Sequence, residues 1–172
     1  MTTLNINNKE YKIDLKGNET LLEVLRNNFG LTGTKTACEE SECGTCTVTI
    51  DGKAVLSCIA LAQSLEGREI VTIEGLADGD KLHPLQQAFL DFGAVQCGFC
   101  IPGMIMSAKA LLDKNLSPSR EEIDYALDGN LCRCAGYPKI IEAVLNAGKQ
   151  MGKMKNTKTH RPNQSSDNKA AA

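Results

Sequence analysis

The sequence predicts an α+β protein in which a strand-rich N-terminal part is followed by a part built from helices. The first observation is a pair of β-hairpin signals: apolar side chains alternate over residues 4–15, and the turn Asp51-Gly52 lies between two short apolar segments in residues 47–56. The second is the change after Gly75, beyond which apolar residues recur at helical spacing and strand patterns cease. With 172 residues, the chain has room for two small domains.

The elements of the N-terminal part follow one another in a defined order. After the first hairpin, Thr20 and Glu23 form a capping box that opens a helix, because each side chain can bond the other residue's backbone N–H. Residues 35–46 show no apolar period and form a loop that carries three cysteines. The second hairpin and a strand at residues 70–73 follow. Hairpin, helix, loop, hairpin and strand in this order predict a β-grasp domain over residues 1–76.

The remaining elements are predicted to be helical. Four helix starts are marked by a proline or by a capping box: Pro84, Pro102, Ser119 with Glu122, and Pro138. We therefore expect a four-helix domain over residues 81–152, with His83 as the N-cap of its first helix. From residue 153 onward the chain is rich in Lys, Asn, Ser and Thr without apolar spacing. This composition predicts a disordered tail over residues 153–172, which includes His160.

Composition and charge narrow the classes of function. The apolar fraction of 42% is typical of a globular protein, and the net charge of -2 with mixed acids and bases argues against nucleic-acid binding. No apolar run approaches the ~20 residues that a membrane span needs, and the first residues do not resemble a signal peptide. We therefore expect a cytoplasmic chain. Because thiols stay reduced there, its eight cysteines indicate metal binding or catalysis rather than disulfides.

The eight cysteines fall into two groups of four with different spacings, and none is left over. The first group reads C-x4-C-x2-C-x11-C and consists of Cys38, Cys43, Cys46 and Cys58. The second group reads C-x2-C-x31-C-x-C and consists of Cys97, Cys100, Cys132 and Cys134. Four thiolates are the ligands of a binuclear iron–sulfur cluster, and the first spacing is that of plant-type ferredoxins. The spacings therefore predict two redox centres in one chain.

The first spacing favours an iron–sulfur cluster over a zinc ion. Structural zinc sites usually take their cysteines as two C-x2–4-C pairs. Here three cysteines share one loop, and Cys58 comes alone from the second hairpin. A short loop can wrap a cluster only where its backbone approaches closely, and Gly44 lacks the Cβ that would obstruct this approach. Backbone N–H groups of such a loop can point at the sulfurs.

In the second group, each pair of cysteines comes just before a predicted helix. The first pair precedes the helix at Pro102, and the second pair precedes the helix at Pro138. The positive end of a helix dipole and its free N–H groups favour an anionic thiolate site. Two such half-sites that face each other would surround one metal centre. A zinc ribbon also contains C-x2-C, but C-x-C is unusual for it. A cluster is therefore the favoured interpretation, with zinc as the alternative.

Three stretches of sequence resemble the signatures of a known family. They are residues 38–48 (CEESECGTCTV), 96–104 (QCGFCIPGM) and 129–137 (GNLCRCAGY). With the order of elements over about residues 3–150, they resemble the small iron–sulfur subunit of molybdenum hydroxylases, the xanthine dehydrogenase family. Ser41 departs from the family pattern, which usually has Gly there, and Ala37 stands where Gly is frequent.

The resemblance implies two [2Fe–2S] clusters and a role in electron transfer. In this family a large partner subunit holds a molybdenum–pterin centre and hydroxylates the substrate with oxygen from water. Electrons then pass through the helical-domain cluster and the β-grasp cluster to FAD on a third subunit or domain. The sequence has no GxGxxG or P-loop motif, so FAD is expected in the partner rather than in this chain. The expected substrate is an N-heterocycle of the xanthine or purine type, or an aldehyde.

The resemblance also implies that two residues lie near the pterin. Gln96 matches the family residue whose amide hydrogen-bonds the pterin. Cys134 matches the cysteine that ligates iron and also lies against the pterin. Without the resemblance, Gln96 would be interpreted as an ordinary polar residue at a helix end. No residue of this chain is expected to be catalytic, because the molybdenum centre belongs to the partner.

Three functions are consistent with two groups of four cysteines. The leading hypothesis is the electron-transfer subunit of a heteromeric molybdenum hydroxylase. The alternative is a freestanding two-cluster ferredoxin-like electron carrier, which would need neither Gln96 nor a helical second domain. The third is a zinc-stabilised interaction module, which the absence of iron–sulfur colour would reveal.

Overall fold

The computed structural model describes residues 1–159, and its strands form one mixed sheet. The strands are β1 (Thr2–Ile6), β2 (Lys9–Ile13), β3 (Thr47–Ile50), β4 (Lys53–Leu56) and β5 (Glu69–Val71). Their order in the sheet is β2-β1-β5-β3-β4. β1 and β5 run parallel, and the other neighbouring pairs are antiparallel. The first and last strands therefore lie side by side inside the sheet.

Both predicted hairpins are present. Asn7 and Asn8 close the first one with positive φ angles of 52° and 62°, a left-handed conformation that short polar side chains tolerate. Asp51 and Gly52 close the second hairpin in the same conformation. The last strand is shorter than predicted. It ends at Val71 because the chain then enters a 3-10 turn.

The helices begin close to the predicted positions. They are α1 (Leu21–Glu23), α2 (Pro84–Asp91), α3 (Ile101–Leu112), α4 (Arg120–Leu127) and α5 (Tyr137–Thr159). Both predicted capping boxes are formed, at Thr20 and at Ser119. His83 is the N-cap of α2, since its Nδ1 accepts a hydrogen bond of 3.2 Å from the backbone N–H of Leu85. These local signals were sufficient to place the helix starts.

The first helix differs from the prediction. Only Leu21–Glu23 is α-helical, and the chain continues as a π-helix over Val24–Asn28. The backbone N–H of Phe29 donates to the carbonyl of Val24 at 3.3 Å, five residues back instead of four. Phe29 then lies against Tyr11, with ring centres 4.6 Å apart. Apolar spacing over two turns does not distinguish an α from a π turn, so the sequence could not reveal this.

The structure has two main clusters of buried apolar side chains. One lies between the sheet and the first helix and contains Leu4, Ile6, Leu21, Val24, Leu25, Val48, Ile50, Ala62, Leu65 and Ile70. The other lies among the later helices and includes Leu85, Phe89, Met104, Ile105, Leu112, Ile123, Leu127, Ile140, Ile141 and Val144. Helix α3 connects the two parts, because it packs against α4 on one side and against β3 on the other.

The last helix extends further than predicted. α5 continues to Thr159, through residues 153–159 of the predicted tail. An established helix gains one hydrogen bond for each residue added, and Lys and Met are good helix formers, so the missing apolar spacing does not end it. Residues 160–172, with His160, lie outside the described residues, and disorder there stays a prediction. Within residues 1–159, no helix is long and apolar enough to cross a membrane.

Candidate iron–sulfur sites

Three cysteines of the first group lie in the loop between the first helix and β3. The loop folds tightly, with positive φ angles at Glu39 (56°), Ser41 (64°) and Gly44 (67°). The backbone N–H of Cys43 donates to Cys38 Sγ at 3.4 Å. Donors around this sulfur, the N–H of Glu40 first and the Cys43 thiol second, lower the pKa of Cys38 to about 7. The loop therefore stabilises a thiolate at Cys38.

The last cysteine of that loop, Cys46, meets Cys58 at the open end of the second hairpin. Cys46 directly precedes β3, and Cys58 follows β4 by one residue. Ser57 stabilises this end, because its backbone N–H and its hydroxyl both donate to the carbonyl of Cys46, at 3.3 and 2.7 Å. Both thiols are buried, and burial raises the pKa of Cys46 to about 11. The first group is thus arranged as two pairs, Cys38 with Cys43 and Cys46 with Cys58.

The second group converges on one small cavity. Its lining includes Cys97, Cys100, Cys132 and Cys134. The thiols contact each other in two pairs, Cys97 with Cys134 and Cys100 with Cys132. Cys100 is the N-cap of α3, and Cys132 and Cys134 come shortly before α5. The predicted meeting of two helix starts is therefore present, although α3 and α5 each begin one residue before the expected proline.

Within each pair of the second group, one thiol ionises more readily than the other. The backbone N–H of Phe99 and the Cys134 thiol lower the pKa of Cys97. Burial raises the pKa of Cys100 to about 12. At Cys132, burial opposes ionisation, but hydrogen bonds from the backbone N–H of Gly136 and other donors outweigh it, so the pKa falls. Free N–H groups ahead of a helix therefore do point at these sulfurs, as the sequence predicted.

The loops of the two groups are joined directly. The backbone N–H of Leu131 donates to the carbonyl of Cys43 at 2.9 Å, and the Thr45 hydroxyl donates to the carbonyl of Phe99 at 3.2 Å. Between the groups lies a cavity of about 430 Å³, whose lining includes cysteines of both groups and the side chains of Phe99 and Leu131. The two sites are therefore neighbours in space, and these two hydrogen bonds join their loops.

Gln96 lies at the second group, in the loop between α2 and α3. Its side chain is exposed, and its Nε2 donates to the carbonyl of Cys134 at 3.1 Å. The two residues that the resemblance assigns to the pterin are thus in contact. Gln96 does not end a helix, since α2 ends at Asp91. The interpretation of Gln96 as a helix-end residue is therefore wrong.

The residues present fit a [2Fe–2S] cluster at each group. The donor set is four thiols in each case, and backbone N–H groups point at Cys38, Cys97 and Cys132. A Cβ at Gly44 would lie 2.1 Å from the carbonyl of Gly129, so only glycine allows this loop path. Among residues 1–159, no group of three or more Cys, His, Asp or Glu side chains is arranged to hold a single metal ion. The four thiolates of a binuclear cluster are shared between two irons.

Three residues that hold these sites together escaped the sequence analysis. The first is Ser57, which bonds the carbonyl of Cys46. The second is Tyr137, whose hydroxyl accepts a hydrogen bond from the backbone N–H of Cys132 at 2.6 Å. The third is Asn130, which is buried beside Gly44. None of them is a residue type that commonly ligates metals. Each makes a hydrogen bond to a backbone group that is distant in sequence or lies across a turn. Only the position of Tyr137 at a helix start gave a local signal.

Ser41 occupies a backbone conformation that glycine adopts more easily. A residue with a Cβ in the left-handed conformation costs about 1–2 kcal/mol, and glycine removes this cost. Glycine also gives the unfolded chain more freedom, which offsets part of the gain. We therefore expect Ser41→Gly to stabilise the protein by up to about 1 kcal/mol. Urea denaturation measures this change. Glu40→Gly is the matched control, since Glu40 is not among the residues with positive φ and should lose stability. Equal shifts in both variants would contradict the explanation.

Family models match both halves of the chain. One described as a 2Fe-2S iron-sulfur cluster binding domain matches residues 4–77, and one described as a [2Fe-2S] binding domain matches residues 72–145. The small FeS subunit of nicotinate dehydrogenase from Eubacterium barkeri is 52% identical over 141 residues, which is 82% of this chain and 90% of that protein. The small subunit of nicotine 6-hydroxylase from Paenarthrobacter nicotinovorans is 50% identical over 147 residues, covering 86% and 88%.

Solved structures share the fold of this chain. A chain of quinoline 2-oxidoreductase from Pseudomonas putida 86 matches with a TM-score of 0.85 and 42% identity, over 89% of this chain and 95% of that chain. Aldehyde oxidoreductase from Desulfovibrio gigas matches with a TM-score of 0.85 and 40% identity, over 89% of this chain and 17% of that much longer chain. This chain therefore belongs to the family of small [2Fe–2S] electron-transfer subunits of molybdenum hydroxylases of the xanthine dehydrogenase type.

Proposed function

We propose that each cysteine group ligates one [2Fe–2S] cluster and that the chain conducts electrons between two partner subunits. The first cluster would be held by Cys38, Cys43, Cys46 and Cys58, and the second by Cys97, Cys100, Cys132 and Cys134. When bound, such clusters supply one-electron oxidation and reduction. The observation that carries the proposal is the convergence of the second group on one cavity, next to the loop of the first group.

The protein's own groups would stabilise the charge on the thiolates. Backbone N–H groups donate to Cys38, Cys97 and Cys132, and such donors favour the ionised form that metal ligation requires. The starts of α3 and α5 add the positive ends of two helix dipoles at the second group. The burial of Cys46 and Cys58 excludes water from one side of the first group.

We assign the two sites to two domains, a β-grasp domain of residues 1–76 and a four-helix domain of residues 81–152. The two clusters of buried apolar residues support this division. A large molybdopterin-binding subunit would lie against the four-helix domain, and an FAD-binding subunit against the β-grasp domain. Electrons would enter at the second cysteine group and leave at the first. A freestanding two-cluster carrier remains the alternative function.

Relatives in heteromeric enzymes suggest the substrate class. The names of three matching proteins refer to nicotinate, nicotine and quinoline, all of which contain an aromatic nitrogen ring. We therefore propose that the complex hydroxylates an N-heterocycle, with an aldehyde as the second candidate. We also propose a location in the cytoplasm, where thiols remain reduced and available as ligands.

Metal analysis tests the assignment of the cysteines. Eight thiolates at four per binuclear cluster imply about four irons and four acid-labile sulfides per chain, and a red-brown protein. Inductively coupled plasma spectrometry and a sulfide assay measure both numbers. Stoichiometric zinc without labile sulfide would overturn the proposal and support the zinc-stabilised module.

Gln96 provides a second test, directed at the molybdenum partner. If its amide bonds the pterin as well as Cys134, Gln96→Ala should keep four irons but slow the reduction of the nearer cluster by substrate. One lost hydrogen bond corresponds to a slowing of up to about tenfold. Stopped-flow absorbance of the reconstituted complex measures the rate.

The matched control for this test is Gln87→Ala, which removes an exposed glutamine of α2 that bonds only its helix neighbour Asp91. It should leave the reduction rate unchanged. An unchanged rate in Gln96→Ala, with normal molybdenum content, would remove Gln96 from the electron path. The isolated subunit should show no hydroxylase activity, because the molybdenum centre belongs to the partner.

A further inference from the structure

Asn130 is a buried polar residue for which the proposed function names no role. Its side chain is 4% exposed and makes hydrogen bonds to two separate segments. Its Nδ2 donates to the carbonyl of Gly44 at 2.9 Å, and its Oδ1 accepts from the Ser107 hydroxyl at 2.6 Å. Because the Ser107 hydroxyl donates to Oδ1, it orients the amide so that the NH₂ group faces Gly44.

These contacts connect the two cysteine groups. Gly44 lies in the first cysteine loop, between Cys43 and Cys46, while Asn130 stands shortly before Cys132 of the second group. The next residue, Leu131, adds the backbone bond to the carbonyl of Cys43. The segment 130–131 therefore bonds two consecutive carbonyls of the first cysteine loop.

The first cysteine loop is also closely packed at Gly44. An ideal Cβ at Gly44 would lie 2.6 Å from Asn130 Nδ2, and one at Gly103 of α3 would lie 2.4 Å from the carbonyl of Gly44. The loop is thus held between α3 and the segment before Cys132, without room to shift. Buried polar groups that are fully paired hold a unique arrangement, since any displacement leaves a donor or acceptor unpaired.

We propose that Asn130 is a positioning residue that sets the separation and relative orientation of the two cluster sites. It does so by holding the first cysteine loop, through Gly44, against the segment that carries Cys132. This proposal rests on the proposed function, because it presupposes a cluster at each group. Supporting residues of this kind orient a site without touching the reacting centre.

The test is the magnetic interaction between the two clusters, which falls steeply with their separation and depends on their orientation. In the dithionite-reduced complex, both clusters would be paramagnetic, and each should split the EPR signal of the other at low temperature. We expect Asn130→Ala and Asn130→Asp to shift or broaden this splitting, because both remove the NH₂ donor to Gly44. Inter-cluster electron exchange after flash reduction should slow in the same variants.

Two further variants separate positioning from a general loss of stability. Ile123 is fully buried in the core of the helices and its side chain makes no hydrogen bond to either loop, so Ile123→Val should lower stability and leave the splitting unchanged. Ser107→Ala keeps Asn130 but removes the bond that orients its amide, so the splitting should change here as well.

The outcomes decide the proposal. An unaltered splitting in Asn130→Ala or Asn130→Asp protein that carries about four irons overturns it. If neither Asn130 variant assembles both clusters, the EPR splitting of Ser107→Ala protein becomes the deciding measurement. An unaltered splitting in that variant overturns the proposal. Wild-type protein without iron and labile sulfide would overturn the proposed function itself, whereas normal iron with an unaltered splitting overturns only the role of Asn130.

Discussion

Replacing Cys43 by Ser is expected to remove one of two EPR signals and about half of the iron, while the other signal survives. A serine hydroxyl is a poor substitute for a thiolate ligand, and the two groups have separate sets of four cysteines, so each loss should stay local. Cys132→Ser should remove the other signal. EPR of the reduced protein together with iron analysis measures both effects, and each variant is the control for the other.

The surviving signal should also change shape slightly in each variant, because it loses the splitting by its neighbour. The backbone bond from Leu131 to the carbonyl of Cys43 does not depend on either side chain, so the two loops should remain joined. Loss of both signals from either substitution, in protein that remains folded, would contradict the assignment of two independent sites.

Replacing Gly103 by Ala is expected to destabilise the protein by about 1–3 kcal/mol, the range for overpacking of a filled interior. In an ordinary helix this substitution would stabilise by up to about 1 kcal/mol. Here the new Cβ would lie 2.4 Å from the carbonyl of Gly44 and 3.1 Å from Thr45 Cα, both of which are backbone atoms. The helix or the first cysteine loop would have to move.

Gly152→Ala is the matched control, because Gly152 lies inside α5 and a Cβ there would meet nothing within 4 Å. It should show the ordinary stabilisation, so the two substitutions should differ in sign. Urea denaturation followed by circular dichroism measures both. If Gly103→Ala is as stable as the wild-type protein, α3 does not support the first cysteine loop in the way described.

Local sequence signals predicted the elements well where a side chain acts within a few residues. The capping boxes at Thr20 and Ser119 and the N-cap at His83 are of this kind, since the bonded groups are two or three residues apart. Hydrogen-bond partners along the chain decided two departures. These are the π-helix over Val24–Asn28 and the continuation of α5 to Thr159, and apolar spacing specifies neither.

Ser41 shows how sequence and tertiary structure contribute together. Its departure from the family's usual glycine is visible in the sequence, but its consequence depends on a backbone angle. The φ of 64° explains why glycine suits this position and what a side chain costs there. The same angle allows the loop to turn between Cys38 and Cys43, so the strain lies within the first cysteine site.

The sequence alone determined the cysteine inventory, because ligand type and spacing are written directly in the chain. It determined the order of strands and helices and the pairing of the second cysteines with helix starts, which depend on local propensity and capping. Only the tertiary structure decided that the two cysteine loops touch, through Asn130 and Leu131 to Gly44 and Cys43. Those bonds join residues more than 80 positions apart, and no local rule specifies which distant carbonyl a buried amide will meet.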